Sequence, residues 1–130
     1  MTTALPVKPV ILVVDDDEDM LILMQEILLD KGFNPVFSPN GVNVMEIISR
    51  ISPDLVLMDI QMRGVNGGDL CAAIKHNPAT AHIPVIILSG NDNIETVTAS
   101  SGAEGFIKKP FNVEKFTQTF LQVLSHNHSK

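Results

Sequence analysis

The hydrophobic and polar positions of the chain form short apolar runs separated by segments with helical spacing. Three runs are rich in Val, Ile and Leu and lack polar alternation: Val10 to Val14, Leu55 to Met58 and Val85 to Leu88. Such runs are typical of strands buried on both faces, as in a parallel sheet. Two shorter segments, residues 35–37 and 105–107, fit edge strands, so we predict five strands.

Apolar stripes with helical spacing follow each predicted strand. They comprise Met20, Met24, Ile27 and Leu28; Val44, Ile47, Ile48 and Ile51; Leu70 and Ile74; residues 94–101; and Val113, Phe116, Phe120 and Val123. Gly32 is suited to end the first helix, and Asn112 to cap the fifth. Alternating strands and helices predict an α/β fold: a five-stranded parallel, doubly wound, flavodoxin-like sheet with five flanking helices.

Composition and charge limit what such a domain can do. The 130 residues suffice for one domain, predicted over residues 8–124 between a flexible N-terminus, residues 1–7, and a flexible tail, residues 125–130. A net charge of -6 without a basic cluster disfavours direct nucleic-acid binding. The absence of a signal-like start, of a bilayer-length apolar run and of paired cysteines indicates a cytoplasmic protein with no membrane partner.

Polar side chains follow four of the predicted strands. Asp15 and Asp16 come directly after the first strand, and Asp59 ends the third. Ser89 ends the fourth strand, and Lys109 follows the fifth. Because ligands of doubly wound sheets bind beyond the carboxyl ends of the strands, we expect the chemistry of this protein at that edge.

The carboxylates at this edge predict a metal site. Three side chains as close as Asp15, Asp16 and Asp59 repel one another, so a bound cation is expected. Oxygen ligands with no Cys or His at these strand ends favour Mg²⁺, with Mn²⁺ as a substitute. The acidic residues that follow, Asp17 to Asp19, are better interpreted as stabilising the start of a helix.

A carboxylate cluster with a cation, a hydroxyl and a lysine is the set of groups that phosphoryl transfer requires. The cation and Lys109 neutralise charge on the transferred group, and Ser89 supplies a hydrogen bond. Asp59 is the best candidate for the attacking carboxylate, because the preceding strand holds it rigidly. Lys108, beside Lys109, is interpreted as part of a solvated turn.

These motifs resemble the response-regulator receiver domain of two-component signalling, over about Lys8 to Leu124. Each motif is weak alone, but together and in order they are specific. They are Ile11 to Asp16, Asp54 to Asp59, Ile86 to Ser89, and Lys109 to Phe111. The resemblance implies a non-enzymatic switch that accepts a phosphoryl group from a histidine kinase or histidine phosphotransfer protein and then binds a downstream protein.

The resemblance also implies roles for the acidic residues. Asp59 matches the phosphoacceptor, and Asp15 and Asp16 match the metal-binding pair. The backbone carbonyl of Gln61 matches a position that also coordinates Mg²⁺. All four residues follow the first or the third predicted strand.

Further roles are implied at the fourth and fifth strands. Ser89 matches the hydroxyl residue that bonds the phosphoryl group, and Lys109 matches a lysine that precedes a cis proline. Phe106 matches an aromatic switch residue whose ring turns inward as Ser89 moves. Core packing explains an aromatic residue at position 106 equally well.

The short tail after Leu124 predicts a stand-alone receiver. Its output is then expected by protein contact through the face of the fourth helix, fifth strand and fifth helix, which could also form a homodimer.

Three features depart from the family. Arg63 replaces the usual proline and could loosen the loop or bind a donor; Gly90 replaces a common alanine and opens the site to water; and the stretch from Ser89 to Gly102 is short, which predicts a short or displaced fourth helix.

Two other functions use similar folds. A phosphatase with an aspartyl-phosphate intermediate needs an acid two residues beyond the nucleophile, where this chain has Gln61. A flavodoxin-like cofactor binder needs a Gly-, Ser- and Thr-rich phosphate loop after the first strand, where this chain has the acidic residues 15–19. Both functions are therefore disfavoured.

Overall fold

The structure, a computed structural model, describes residues 8–128. In chain order the elements are β1 (Val10–Val14), α1 (Glu18–Asp30), β2 (Asn34–Ser38), α2 (Val44–Ile51), β3 (Leu55–Asp59), β4 (Gln61–Met62), β5 (Val65–Asn66), α3 (Gly67–His76), β6 (Val85–Ser89), α4 (Ile94–Ser101), β7 (Gly105–Lys108) and α5 (Val113–His128). The five strands and five helices predicted from the sequence are all present. The short hairpin β4–β5 was not predicted.

The main sheet has the strand order β2-β1-β3-β6-β7, and all of its neighbouring strands are parallel. The two segments predicted as edge strands, β2 and β7, do lie at the edges. The chain leaves β1 toward β2 on one side and returns to β3 on the other. The order therefore reverses between β1 and β3, and a crevice is expected beyond the carboxyl ends of these two strands.

The core has one layer on each face of the sheet, because successive side chains of a strand point to opposite faces. Ile11 and Val13 pack with α1 and α5, including Phe116. Leu12 and Val14 pack in the second layer with α2, α3 and α4. The central strands are buried on both faces, as their uninterrupted apolar sequences predict.

The ends of the first and fifth helices agree with the predicted caps. Asp17 is the N-cap of α1, where its carboxylate accepts hydrogen bonds from the backbone of Asp19 and Met20. Asn112 accepts a bond from the Lys115 backbone N–H at 2.7 Å at the start of α5. Gly32, with φ of 89°, follows the C-cap of α1 in the left-handed region.

The last helix extends beyond the predicted domain limit. α5 continues to His128, into residues 125–130, and the predicted flexibility of that tail stays a prediction. Residues 1–7, predicted to be flexible, and residues 129–130 lie outside the described part of the chain. Within residues 8–128, no helix combines the length and the apolar character that crossing a membrane requires.

Candidate functional site

The parallel pairing of β1 and β3 brings the acidic residues together. Val14 pairs with Met58, so Asp15 and Asp59 lie side by side at the carboxyl edge of the sheet. One carboxylate oxygen from each of Asp15, Asp16 and Asp59 lies within 4.8 Å of the others. The predicted acidic cluster is therefore present, at the point where the strand order reverses.

Asp15 is the most enclosed carboxylate of the cluster, with only 1% of the residue exposed. Its Oδ1 accepts a hydrogen bond from the Asp17 N–H at 3.0 Å, whereas its buried Oδ2 has no hydrogen-bond partner. Burial raises the pKa of Asp15 to about 6, and the nearby Asp59 adds to the rise. A buried oxygen without a partner is costly, so this atom marks a position where a cation would be stabilising.

Asp59 is buried at the end of β3. Its Oδ1 accepts a hydrogen bond from the Gln61 N–H at 3.1 Å, and its Oδ2 lies 4.0 Å from the Lys109 Nζ. Burial raises the pKa of the Asp59 carboxyl, although the Gln61 N–H and the Lys109 ammonium act in the opposite direction. One oxygen is thus held by the backbone, and the other faces the lysine.

Asp16 lies at the outer edge of the cluster and is bound by Arg63. The Arg63 backbone N–H and its Nε both donate to the Asp16 Oδ2, at 2.9 and 3.3 Å. These hydrogen bonds, the backbone one above all, lower the pKa of Asp16. The contact joins residues that are 47 positions apart, and it was not predicted from the sequence.

Ser89 and Lys109, two of the non-acidic residues of the predicted site, also lie at this edge. Ser89 is fully buried at the end of β6, and its Oγ accepts a hydrogen bond from the Asn91 N–H at 3.0 Å. The Lys109 N–H donates to the Ser89 carbonyl at 2.8 Å, and the following peptide bond to Pro110 is cis, as the resemblance implied. Lys108 instead pairs with Asp92 in solvent, in agreement with its interpretation as a solvated turn residue.

Gln61 and Phe106 stand apart from the buried part of the site. Gln61 is exposed and pairs with Asn66 in the β4–β5 hairpin. Phe106 lies on β7 with 36% of its surface exposed, so it is not a core residue in this state. The remainder of its surface is covered, so its roles as a switch residue and as a packing residue both stay predictions.

Besides the contact from Arg63 to Asp16, the other two departures from the family are also visible in the structure. A Cβ placed on Gly90 would meet only the Lys109 Cβ, at 3.8 Å, so alanine would fit at this position. The stretch after Ser89 contains an α4 of eight residues with no side-chain cap at Asn93. The fourth helix is thus short, as the sequence suggested.

The sequence did not point to Gly67, which packs closely against the backbone of Asp59 and Ile60. A Cβ on Gly67 would lie 2.5 Å from the Asp59 carbonyl oxygen and 2.5 Å from the Ile60 Cα. The Gly67 N–H also donates to the Ile60 carbonyl at 3.1 Å. The start of α3 therefore packs directly on the backbone that carries Asp59. The glycine pair at 67 and 68, after the capping residue Asn66, was a sequence feature that could have indicated this contact.

We expect Gly67→Ala to lower the free energy of unfolding by about 2–3 kcal/mol, because an added methyl group must displace backbone rather than a flexible side chain. Urea denaturation of the metal-free protein measures this. Gly90→Ala is the matched control, because its Cβ meets nothing closer than 3.8 Å and the same change there should be neutral or slightly stabilising. Equal stability of the two variants would contradict the close packing at Gly67.

The site fits a hard divalent cation. Three carboxylates supply oxygen ligands, and one buried oxygen lacks a partner. Neither cysteine nor histidine belongs to the cluster, which disfavours zinc. The arrangement can therefore hold Mg²⁺ beside a carboxylate that also faces a lysine.

Comparison with known proteins agrees with this geometry. The profile of the response regulator receiver domain matches residues 11–121. The DNA-binding response regulator MtrA of Mycolicibacterium paratuberculosis is 33% identical over 103 residues, which cover 78% of this chain and 44% of MtrA. Histidine kinase P4 of Formosa agariphila is 30% identical over 92% of this chain but only 9% of its own length. The chain thus spans less than half the length of these relatives.

Solved structures show the same fold. A putative response regulator from Chloroflexus aurantiacus superimposes with a TM-score of 0.87, at 22% identity, over 92% of this chain and 99% of its own. The Vibrio cholerae chemotaxis protein CheY4 gives a TM-score of 0.82, at 21% identity, over 90% and 99% of the two chains. At these identities the similarity concerns the fold alone.

Proposed function

Because the chain belongs to the family of response regulator receiver domains, we propose that it is a phosphorylation-dependent switch with Asp59 as the phosphoacceptor. The observation that carries this proposal is the place of Asp59, which joins Asp15 and Asp16 in one acidic cluster and also faces Lys109. Phosphoryl transfer requires this set of groups, a nucleophile flanked by positive charge. Asp59 accepts the group and does not turn over a substrate.

The proposed donor is a phosphohistidine of a histidine kinase or histidine phosphotransfer protein. An Asp59 oxygen forms a bond to phosphorus as the bond from phosphorus to the donor nitrogen breaks, and the electron pair of that bond stays with the donor imidazole. Lys109 and the Ser89 hydroxyl stabilise the oxygens of the transferred group. The Ser89 Oγ already accepts a bond from Asn91, so its own proton remains to be donated.

Asp15, Asp16 and Asp59 would hold the divalent cation, with the backbone carbonyl of Gln61 as a further ligand. When bound, Mg²⁺, or Mn²⁺ in its place, offsets negative charge on the phosphoryl oxygens and on the carboxylates themselves. The buried Asp15 Oδ2, which has no hydrogen-bond partner, supports this assignment. The exposed Gln61 amide cannot act as the general acid that a phosphatase needs, which keeps that alternative disfavoured.

Output is proposed to occur by protein contact. Phosphorylation at Asp59 would draw Ser89 toward the site and favour an inward position of Phe106, which is about a third exposed on β7. The partner, a downstream protein or a second copy of the chain, would then bind the face of α4, β7 and α5 preferentially in the phosphorylated state. We place this signalling in the cytoplasm, with no direct contact of residues 8–124 to nucleic acid or membrane, and propose that these residues act as the receiver.

Beryllofluoride, which mimics a phosphoryl group on a carboxylate, tests the proposal. In the presence of Mg²⁺, we expect it to shift the backbone amide resonances of Asp59, Ser89, Phe106 and Lys109 in heteronuclear NMR spectra. Mg²⁺ alone should shift only resonances near the acidic cluster. A spectrum unchanged by beryllofluoride at saturating Mg²⁺ would overturn the assignment of Asp59. Steady release of phosphate from an aryl phosphate would instead support the phosphatase.

A further inference from the structure

Arg63 occupies the most accessible carboxylate of the cluster. Its backbone N–H and its Nε bind the same oxygen, the Asp16 Oδ2. A carboxylate oxygen has two lone pairs, and both are engaged by these donors. The usual proline of the family has neither an N–H nor a charge, so this double contact is a feature of the present chain.

The three carboxylates of the cluster differ in exposure, and the one that Arg63 binds is the most exposed. Asp15 and Asp59 are buried, whereas the Asp16 side chain is 21% exposed and opens the cluster toward solvent. The Arg63 side chain is itself 90% exposed, so little besides Asp16 holds it in place. A guanidinium at this point lowers the negative potential that an entering divalent cation meets.

We propose that Arg63 is a resident counter-ion of Asp16 that competes with a divalent cation for this carboxylate, and that it thereby raises the Mg²⁺ concentration at which the pocket fills. The proposal rests on the function proposed above, since it assumes that the acidic cluster binds the cation. An exposed ion pair contributes about 0.2–1 kcal/mol, which corresponds to roughly a 1.5- to fivefold change in affinity. Arg63 therefore acts as a competing charge that makes Mg²⁺ binding weaker than the carboxylates alone would give.

Calorimetric titration with Mg²⁺ at low ionic strength tests this inference. We expect Arg63→Gln to bind Mg²⁺ about 1.5- to fivefold more tightly than the natural chain. Arg63→Lys keeps the charge but not the directed Nε bond, and it should fall between the two. The gain should shrink at high salt, where exposed pairs are screened. Thermal unfolding of each variant without metal verifies that it is folded.

Arg50→Gln is the matched control, because it removes the same charge from an exposed residue of α2. It should leave Mg²⁺ affinity nearly unchanged. An affinity of Arg63→Gln equal to or weaker than that of the natural chain would overturn the inference, and a weaker one would mean that Arg63 orients Asp16 for the metal. If the natural chain and both Arg63 variants bind no Mg²⁺, the proposed function fails as well, so the two failures are distinguishable.

Discussion

Asp59→Asn should abolish phosphoryl uptake from a small donor such as acetyl phosphate. The amide oxygen carries no negative charge and cannot form an acyl phosphate, whereas the Gln61 hydrogen bond to the side chain can persist. Intact-protein mass spectrometry in the presence of Mg²⁺ measures the uptake directly. We expect complete loss of the phosphorylated species rather than a reduced rate.

The control for this variant is Asp30→Asn, an exposed carboxylate at the end of α1 that undergoes the same chemical change. It should be phosphorylated as the natural chain is. A phosphorylated species in Asp59→Asn at the natural level would place the acceptor on another residue. Loss of uptake in both variants would point to an effect of net charge, not of the acceptor.

Asp15→Asn should have two large and opposite effects. Replacing a residue that merely hydrogen-bonds to a metal ligand lowers metal affinity by about 10- to 100-fold. Asp15 is itself a proposed ligand, so removal of its charge should weaken Mg²⁺ binding at least as much. Without metal, the same substitution should stabilise the fold at neutral pH by about 1–3 kcal/mol, because it removes a buried charge with an unpartnered oxygen. Calorimetry and urea denaturation measure the two effects.

The second effect should depend on pH. Burial raises the pKa of Asp15 from 3.8 to about 6 in the folded protein. The folded state therefore retains this proton more strongly than the unfolded chain does. The contribution of the protonated Asp15 carboxyl to the stability of the fold is therefore full below pH 3.8. It is lost progressively as the pH rises to about 6, and it stays lost at higher pH. The advantage of Asp15→Asn should accordingly vanish near pH 4 and be complete by pH 7.

Saturating Mg²⁺ should reverse the order of stability at neutral pH, because it binds and stabilises the folded natural chain more than the variant. A pH-independent difference in stability between the two metal-free proteins would contradict the burial argument for Asp15. Equal Mg²⁺ affinities would contradict its assignment as a ligand. Because both proteins retain Asp16 and Asp59, their difference isolates Asp15.

The amino-acid sequence by itself determined the main sheet and the residues at its carboxyl edge. Runs such as Leu55 to Met58 are typical of strands buried on both faces, and parallel strands place their carboxyl ends at one edge. Asp59 and Ser89 were thus identifiable as neighbours because each directly follows such a run. The N-cap role of Asp17 was equally local, since it depends on residues within three positions.

Only the tertiary structure decided how these residues are held. The bond from Arg63 to Asp16, the unpartnered Asp15 Oδ2 and the packing of Gly67 on the Asp59 backbone each depend on segments brought together by folding. The two-residue strands β4 and β5 are too short to show a periodicity, so the hairpin that carries Arg63 could not be read from the pattern. Local spacing along the chain predicts which side chains meet at the carboxyl edge of the sheet. The burial of each side chain and its hydrogen-bond partners depend on segments that are distant in sequence.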